Sequence, residues 1–160
     1  MAAVVVADAS VLIALTQIDQ LSLLQKLFGQ ILVPPAVTRE VTPSLPELPG
    51  WIQTRALLRP PDVLVLKASL DPGETEAIGL ALQTKADPII LDDLRARHLA
   101  KNLGLAVAGT AGVLFAAKQR GFITAVRPLL DTLRARGFRL RKEVYEEILK
   151  AATGESEVDE

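Results

Sequence analysis

The sequence predicts an α/β protein: a three-layer α/β/α sandwich around a central parallel sheet. Three observations carry this. Short β-branched apolar runs alternate with helical patterns along the chain, the order expected of βαβ units. Those runs have no polar face, as strands covered by helices on both sides require. With 160 residues, 49% of them apolar, there is material for one substantial core, and domains usually run ~100–200 residues. The expected layout is one domain over 1–152 and an acidic, frayed tail over 153–160.

Each element follows in chain order. VVVA at 4–7 is the first strand and stops at Asp8. SVLIAL at 10–15 reads as a helix with Ser10 as its N-cap. LSLLQKLFG at 21–29 is a second helix, stopped by Gly29. ILV at 31–33 is a strand ended by Pro34–Pro35, and AVTREV at 36–41 a short helix. PSLPELPG at 43–50 holds too much proline for either regular structure. LLRP and VLVL, on either side of Pro60–Pro61, read as strands. DPGETEAIGLALQTK at 71–85 has the clearest helix start, with Asp71 as cap, Pro72 in the first turn and Glu74 at capping-box spacing. PIIL at 88–91 is a strand ending at Asp92–Asp93. A helix at 94–104, the strand LAVAG, Thr110 and the helix AGVLFAAKQRG follow. The stretch 123–152 is helical with a break at Gly137–Phe138.

Composition narrows the chemistry. There is no cysteine and one histidine, His98. Cys-ligated metals, disulfides, thiol nucleophiles and multi-histidine sites are therefore excluded, and any chemistry falls to carboxylates. His98 reads as a surface or hydrogen-bonded residue. No segment resembles a targeting signal or a membrane span, so a soluble cytoplasmic protein is expected. The net charge of −1 gives no global sign of a nucleic-acid partner. Locally, residues 118–142 carry eight Lys/Arg against Asp131 alone, and 143–160 carry seven acids against Lys150. The basic stretch reads either as a phosphate contact or as a solvated helix face.

The acids fall in a pattern. Asp8 and the pair Asp92–Asp93 each follow an apolar strand directly, and in open parallel sheets ligands bind beyond the carboxyl ends of the strands. Glu40 comes three and four residues after Val37 and Ala36, so it shares their inward face. Glu74 and Glu76 lie about 200° apart on one helix and cannot both aim at one site. Glu74 heads the apolar stripe Ala77, Ile78, Ala81 and Leu82, which points Glu74 to the site and leaves Glu76 toward solvent as a secondary candidate. Converging carboxylates raise one another's pKa unless a cation neutralises them. An all-oxygen set suits Mg²⁺ or Mn²⁺, and such sites hydrolyse phosphodiesters. The structural alternatives are local: Asp8, Glu74 and one of Asp92 and Asp93 as helix caps, and Glu40 as a surface acid.

These blocks together resemble the PIN domain family, in its branch of small prokaryotic VapC-like proteins. The matching pieces run from residue 4 to about 150: VVADASVLIAL, VPPAVTREV, DPGETEAIGLA, IILDDLRAR and AGTAGVLFAAKQRG. The resemblance implies a cluster of Asp8, Glu40, Glu74 and Asp93 binding Mg²⁺ or Mn²⁺, with Asp92 beside it. It implies endoribonuclease activity on RNA, often as the toxin of a toxin–antitoxin pair, with an antitoxin partner and a homodimer. The family hydroxyl near the first acid maps to Ser10, and Leu91 replaces the hydroxyl that usually precedes the fourth acid. Thr110 matches the GT of the last block, with a hydroxyl facing metal or phosphate, or else a helix cap. Arg97 and Arg95 are candidates for phosphate contact, against the alternative of internal ion pairs.

Overall fold

The computed structural model describes residues 3–153. Of the acidic segment expected at 153–160, all but Thr153 lies outside the described residues. The sheet has five parallel strands: β1 (Val6–Ala7), β2 (Ile31–Val33), β3 (Ile52–Thr54), β4 (Ile89–Ile90) and β5 (Val107–Ala108). Their spatial order is β3-β2-β1-β4-β5. From β1 the chain winds outward to one edge, then returns to β4 on the other side of β1. The switch point of strand order is therefore the β1–β4 pair, where Val6 aligns with Ile89 and Ala7 with Ile90.

Helices cover both faces, in the order α1 (Ala9–Gln17), α2 (Ser22–Phe28), α3 (Pro35–Val41), α4 (Val63–Lys67), α5 (Pro72–Thr84), α6 (Leu94–Asn102), α7 (Thr110–Gln119), α8 (Arg127–Ala135) and α9 (Lys142–Thr153). The two-residue period of the strands divides the core between the layers. Val5, Ala7, Ile31, Val33 and Ile90 face the layer containing α1, α2, α7, α8 and α9. Val6, Leu32, Ile89 and Leu91 face α5, α6 and Val65 of α4. The α/β/α sandwich is as the sequence predicts.

Three local expectations are corrected. VLVL at 63–66 is helix α4, not a strand: Asp62 caps it, accepting from the Leu64 amide at 3.0 Å. LLRP forms no strand either, and the edge strand β3 lies earlier, at Ile52–Thr54. Ser10 does not cap α1. Asp8 holds the N-cap position, yet its side chain makes no capping hydrogen bond. By contrast, α5 opens with both halves of its capping box in place. The break before α9 falls at Gly137, whose φ of 96° suits a residue without a Cβ.

Candidate active site

The two strands at the switch point deliver Asp8 and Asp92–Asp93 to one crevice, as the fold rule requires. Asp8 is 3% exposed. Its amide donates to the Ile90 carbonyl at 2.9 Å, which locks it against β4. One carboxylate oxygen, Oδ2, receives only a long contact from Ser10 Oγ at 3.4 Å. The other, Oδ1, is buried without any hydrogen-bond partner. A carboxylate placed at an N-cap but not capping, and buried but not paired, has no structural role to account for it.

Helices α3 and α5 pack against each other and bring the glutamates in. Gly73, in the first turn of α5, makes the close approach possible. A Cβ there would lie 2.8 Å from Glu40 Oε1, 3.4 Å from Asp8 Oδ1 and 3.5 Å from Asp71 Oδ1. Three carboxylate oxygens thus surround one small space, and a side chain at position 73 would push the Glu40 carboxylate out of it. Glu40 itself is exposed, so it stands at the rim and not on the inward face expected of it. Glu74 is half-buried and spends Oε1 on its capping box with Asp71.

The charges feel one another. Burial pushes the Asp8 carboxyl up to about 7; the Ala9 amide opposes it, and the charges of Glu74, Asp71 and Glu40 each add a smaller rise. Burial, Asp71, Asp93 and Glu40 push Glu74 up to about 7. Glu40 is raised too, by burial and then by Asp71. Glu74 is the hub that joins Asp93 to the others. Asp71, read in the sequence only as a cap, is a fifth member, because one turn carries both it and Glu74.

Asp92 and Asp93 part company. Asp92 accepts the Thr110 amide at 2.8 Å on Oδ1 and the Thr110 hydroxyl at 2.6 Å on Oδ2. Burial raises its carboxyl, while those two bonds and Arg97 oppose the rise. Asp92 therefore anchors the start of α7, and Thr110, fully buried, turns its hydroxyl to Asp92 and not to the crevice. Asp93 is exposed and caps α6 through Oδ2 to the Ala96 amide at 3.0 Å, which leaves Oδ1 for the crevice. Arg97 donates to the Leu91 carbonyl at 3.1 Å and Arg95 to the Ala68 carbonyl at 2.6 Å. Each arginine spends a donor on the fold and keeps other guanidinium N–H groups. His98 is exposed.

Glu76 corrects another expectation. It does not point to solvent: Oε1 accepts the Ala36 amide at 2.9 Å, tying α5 to the start of α3. That bond sets the spacing between Glu74 and Glu40. Glu76→Ala should cost ~1–2 kcal/mol in a urea melt, as loss of a helix cap does, and Glu76→Gln should recover most of it through its own carbonyl.

A family model described as a PIN domain matches residues 4–154. The chain belongs to the PIN domain family. This PIN domain has the nuclease-type fold of its family, whose members are generally nucleases that use divalent metals and act on RNA. No curated protein matches the chain, and no solved structure does. Among the described residues no helix is long and apolar enough to cross a membrane.

The residues fit a hard divalent cation. The side chains gathered here, Asp8, Glu40, Asp71 and Glu74, offer oxygen donors, Asp8 has a buried oxygen without a partner, and mutual repulsion calls for positive charge. No three acids of the described residues close into a ready-made cage. A cation bound here would have to keep waters and take up substrate phosphate to complete its shell, as Mg²⁺ does. Gly73→Ala should leave the melting temperature within a few degrees of wild type, since alanine favours helix by ~1 kcal/mol. Its methyl group fills the space between Glu40 and Asp8, so Mn²⁺ affinity by calorimetry should fall roughly tenfold, ~1.4 kcal/mol.

Proposed function

We propose that this PIN domain is a divalent-metal-dependent endoribonuclease that hydrolyses RNA phosphodiester bonds. Asp8, Glu40, Glu74 and Asp93 carry the site, with Asp71 adding negative charge at its mouth and Asp92 holding the frame. The observation that carries the reading is Asp8: a buried carboxylate with an unpartnered oxygen, facing other acids beyond the switch point. Mg²⁺ or Mn²⁺, when bound, supplies the Lewis acid that lowers the pKa of the attacking water and offsets charge on the phosphate.

The chain's own groups do the rest. Asp8, fixed by its amide to β4, orients the crevice without side-chain reorganisation. Glu74 Oε2, outside the capping box, takes the proton of the attacking water. The water oxygen bonds to phosphorus, the bond from phosphorus to the 3′ oxygen breaks, and that oxygen leaves as a hydroxyl after gaining a proton from solvent. The products are a 5′-phosphate and a 3′-hydroxyl. The VapC-like blocks extend the proposal to the toxin of a toxin–antitoxin pair, working as a homodimer beside an antitoxin protein.

Cleavage of labelled single-stranded RNA with Mn²⁺ tests the reading. Alanine at Asp8 or at Asp93 should lower the rate at least 100-fold, and an unchanged rate overturns the proposal. The openness of the acid set favours a second reading, a non-catalytic module that binds RNA or a protein partner. Calorimetry separates the two, since a module of that kind takes up no Mn²⁺.

A further inference from the structure

A groove of about 1210 Å³ opens directly beside the acids. It is lined by Asp92 and Leu94, the two sequence neighbours of Asp93, and runs across the start of α7 to the α8–α9 turn. Its lining includes four arginines, Arg97, Arg134, Arg139 and Arg141, and one acid, Asp92. Asp92 is already held by Thr110, so the field inside the groove is positive. Arg97 is engaged with the Leu91 carbonyl, and Arg134 sits 4.5 Å over the Tyr145 ring. Arg139 and Arg141 are exposed at the rim. Between them in the chain, Leu140 lies in the floor, and Phe138 is half-buried beside it.

We infer that this groove is the track for a single RNA strand, with Arg139 and Arg141 holding phosphates on the side of the α8–α9 turn and Phe138 stacking a base. The placement rests on the nuclease reading above. Charge complementarity names the occupant: a polyanion with flat apolar groups matches a positive rim over an apolar floor. A single strand fits better than a duplex, because paired bases would leave Phe138 and the floor without a partner. The lining includes both chain neighbours of Asp93, so a strand in the groove would run on toward the acids.

Binding without cleavage tests this independently of catalysis. A fluorescent single-stranded 12-nucleotide RNA is titrated with the full chain in EDTA, across several salt concentrations. Arg139→Glu with Arg141→Glu should weaken binding at least tenfold. It should also flatten the slope of log affinity against log salt by about 1.4, at ~0.7 per phosphate contact for single strands. Phe138→Leu should cost fivefold or more, as loss of one stacked base does, with the slope unchanged. Wild-type affinity and slope in the arginine pair overturns the track. So does capture of an acidic peptide in place of RNA. Lost cleavage metal-dependence with intact groove binding would instead sink the nuclease reading and leave the RNA track standing.

Discussion

Asp8→Asn should make the metal-free protein more stable at pH 8 while abolishing its response to Mn²⁺. The folded state holds the Asp8 carboxyl near 7 against an ordinary value of 3.8. A group whose folded pKa is raised binds its proton more tightly when folded, so stability falls as pH rises between the two values. The penalty is absent below pH ~4, grows through the window from 4 to 7, and is complete above 7. At ~1.4 kcal/mol per pH unit, holding Asp8 charged costs on the order of 4 kcal/mol. Asparagine removes that charge but buries an amide with few partners, so a net gain of ~2 kcal/mol is expected. For a domain of this size that raises the melting temperature by roughly 4–8 °C. At pH 4, where Asp8 is protonated and its penalty gone, only the cost of the buried amide remains, so the variant should melt below wild type by a similar margin. Adding Mn²⁺ should raise the wild-type midpoint at pH 8, by linkage to the folded state, and leave the variant's unmoved. Equal melting curves at pH 8 without metal would mean that Asp8 is not the strained carboxylate described here.

The strain at Asp8 was legible in the sequence only in part. An acid directly after an apolar strand, matched by acids after β4, is a signal that parallel-sheet topology turns into convergence. Glu74 follows from the helical period, which orders it against the buried stripe. Asp71 was hidden because its capping role accounts fully for an Asp before Pro72; nothing in the pattern adds a second role. Glu76 was misread for a different reason. Helical phase says which way a side chain leaves its own helix, not that the start of α3 waits there with an unpaired amide. The helix at 63–67 was missed because a short apolar run is ambiguous between strand and buried helix, and here the Asp62 cap decides. Phe138 carries no sequence signal as a base platform, because only the fold brings it into a groove with Asp92 and Leu94.

The two neighbouring acids should separate cleanly. Asp93→Asn should melt like wild type, because asparagine caps a helix as well as aspartate does and the Ala96 amide keeps its acceptor. Its RNA cleavage should nevertheless drop 100-fold or more, since the carboxylate that Glu74 feels is gone. Asp92→Asn should do the reverse in order of cause. Its one carbonyl oxygen cannot accept both donors of the buried Thr110, and the charge opposite Arg97 is lost. Breaking such a charge-assisted pair leaves buried groups unsatisfied at ~1–3 kcal/mol, so the midpoint should fall by roughly 2–12 °C. Cleavage measured well below that midpoint should stay within tenfold of wild type, because Asp92 supports the crevice through α7 and does not face it. A stable Asp92→Asn protein that has lost cleavage, beside an active Asp93→Asn protein, would reverse the assignment. The physical reason for expecting otherwise is the division of lone pairs: Asp92 has spent both oxygens on Thr110, and Asp93 keeps one for the crevice.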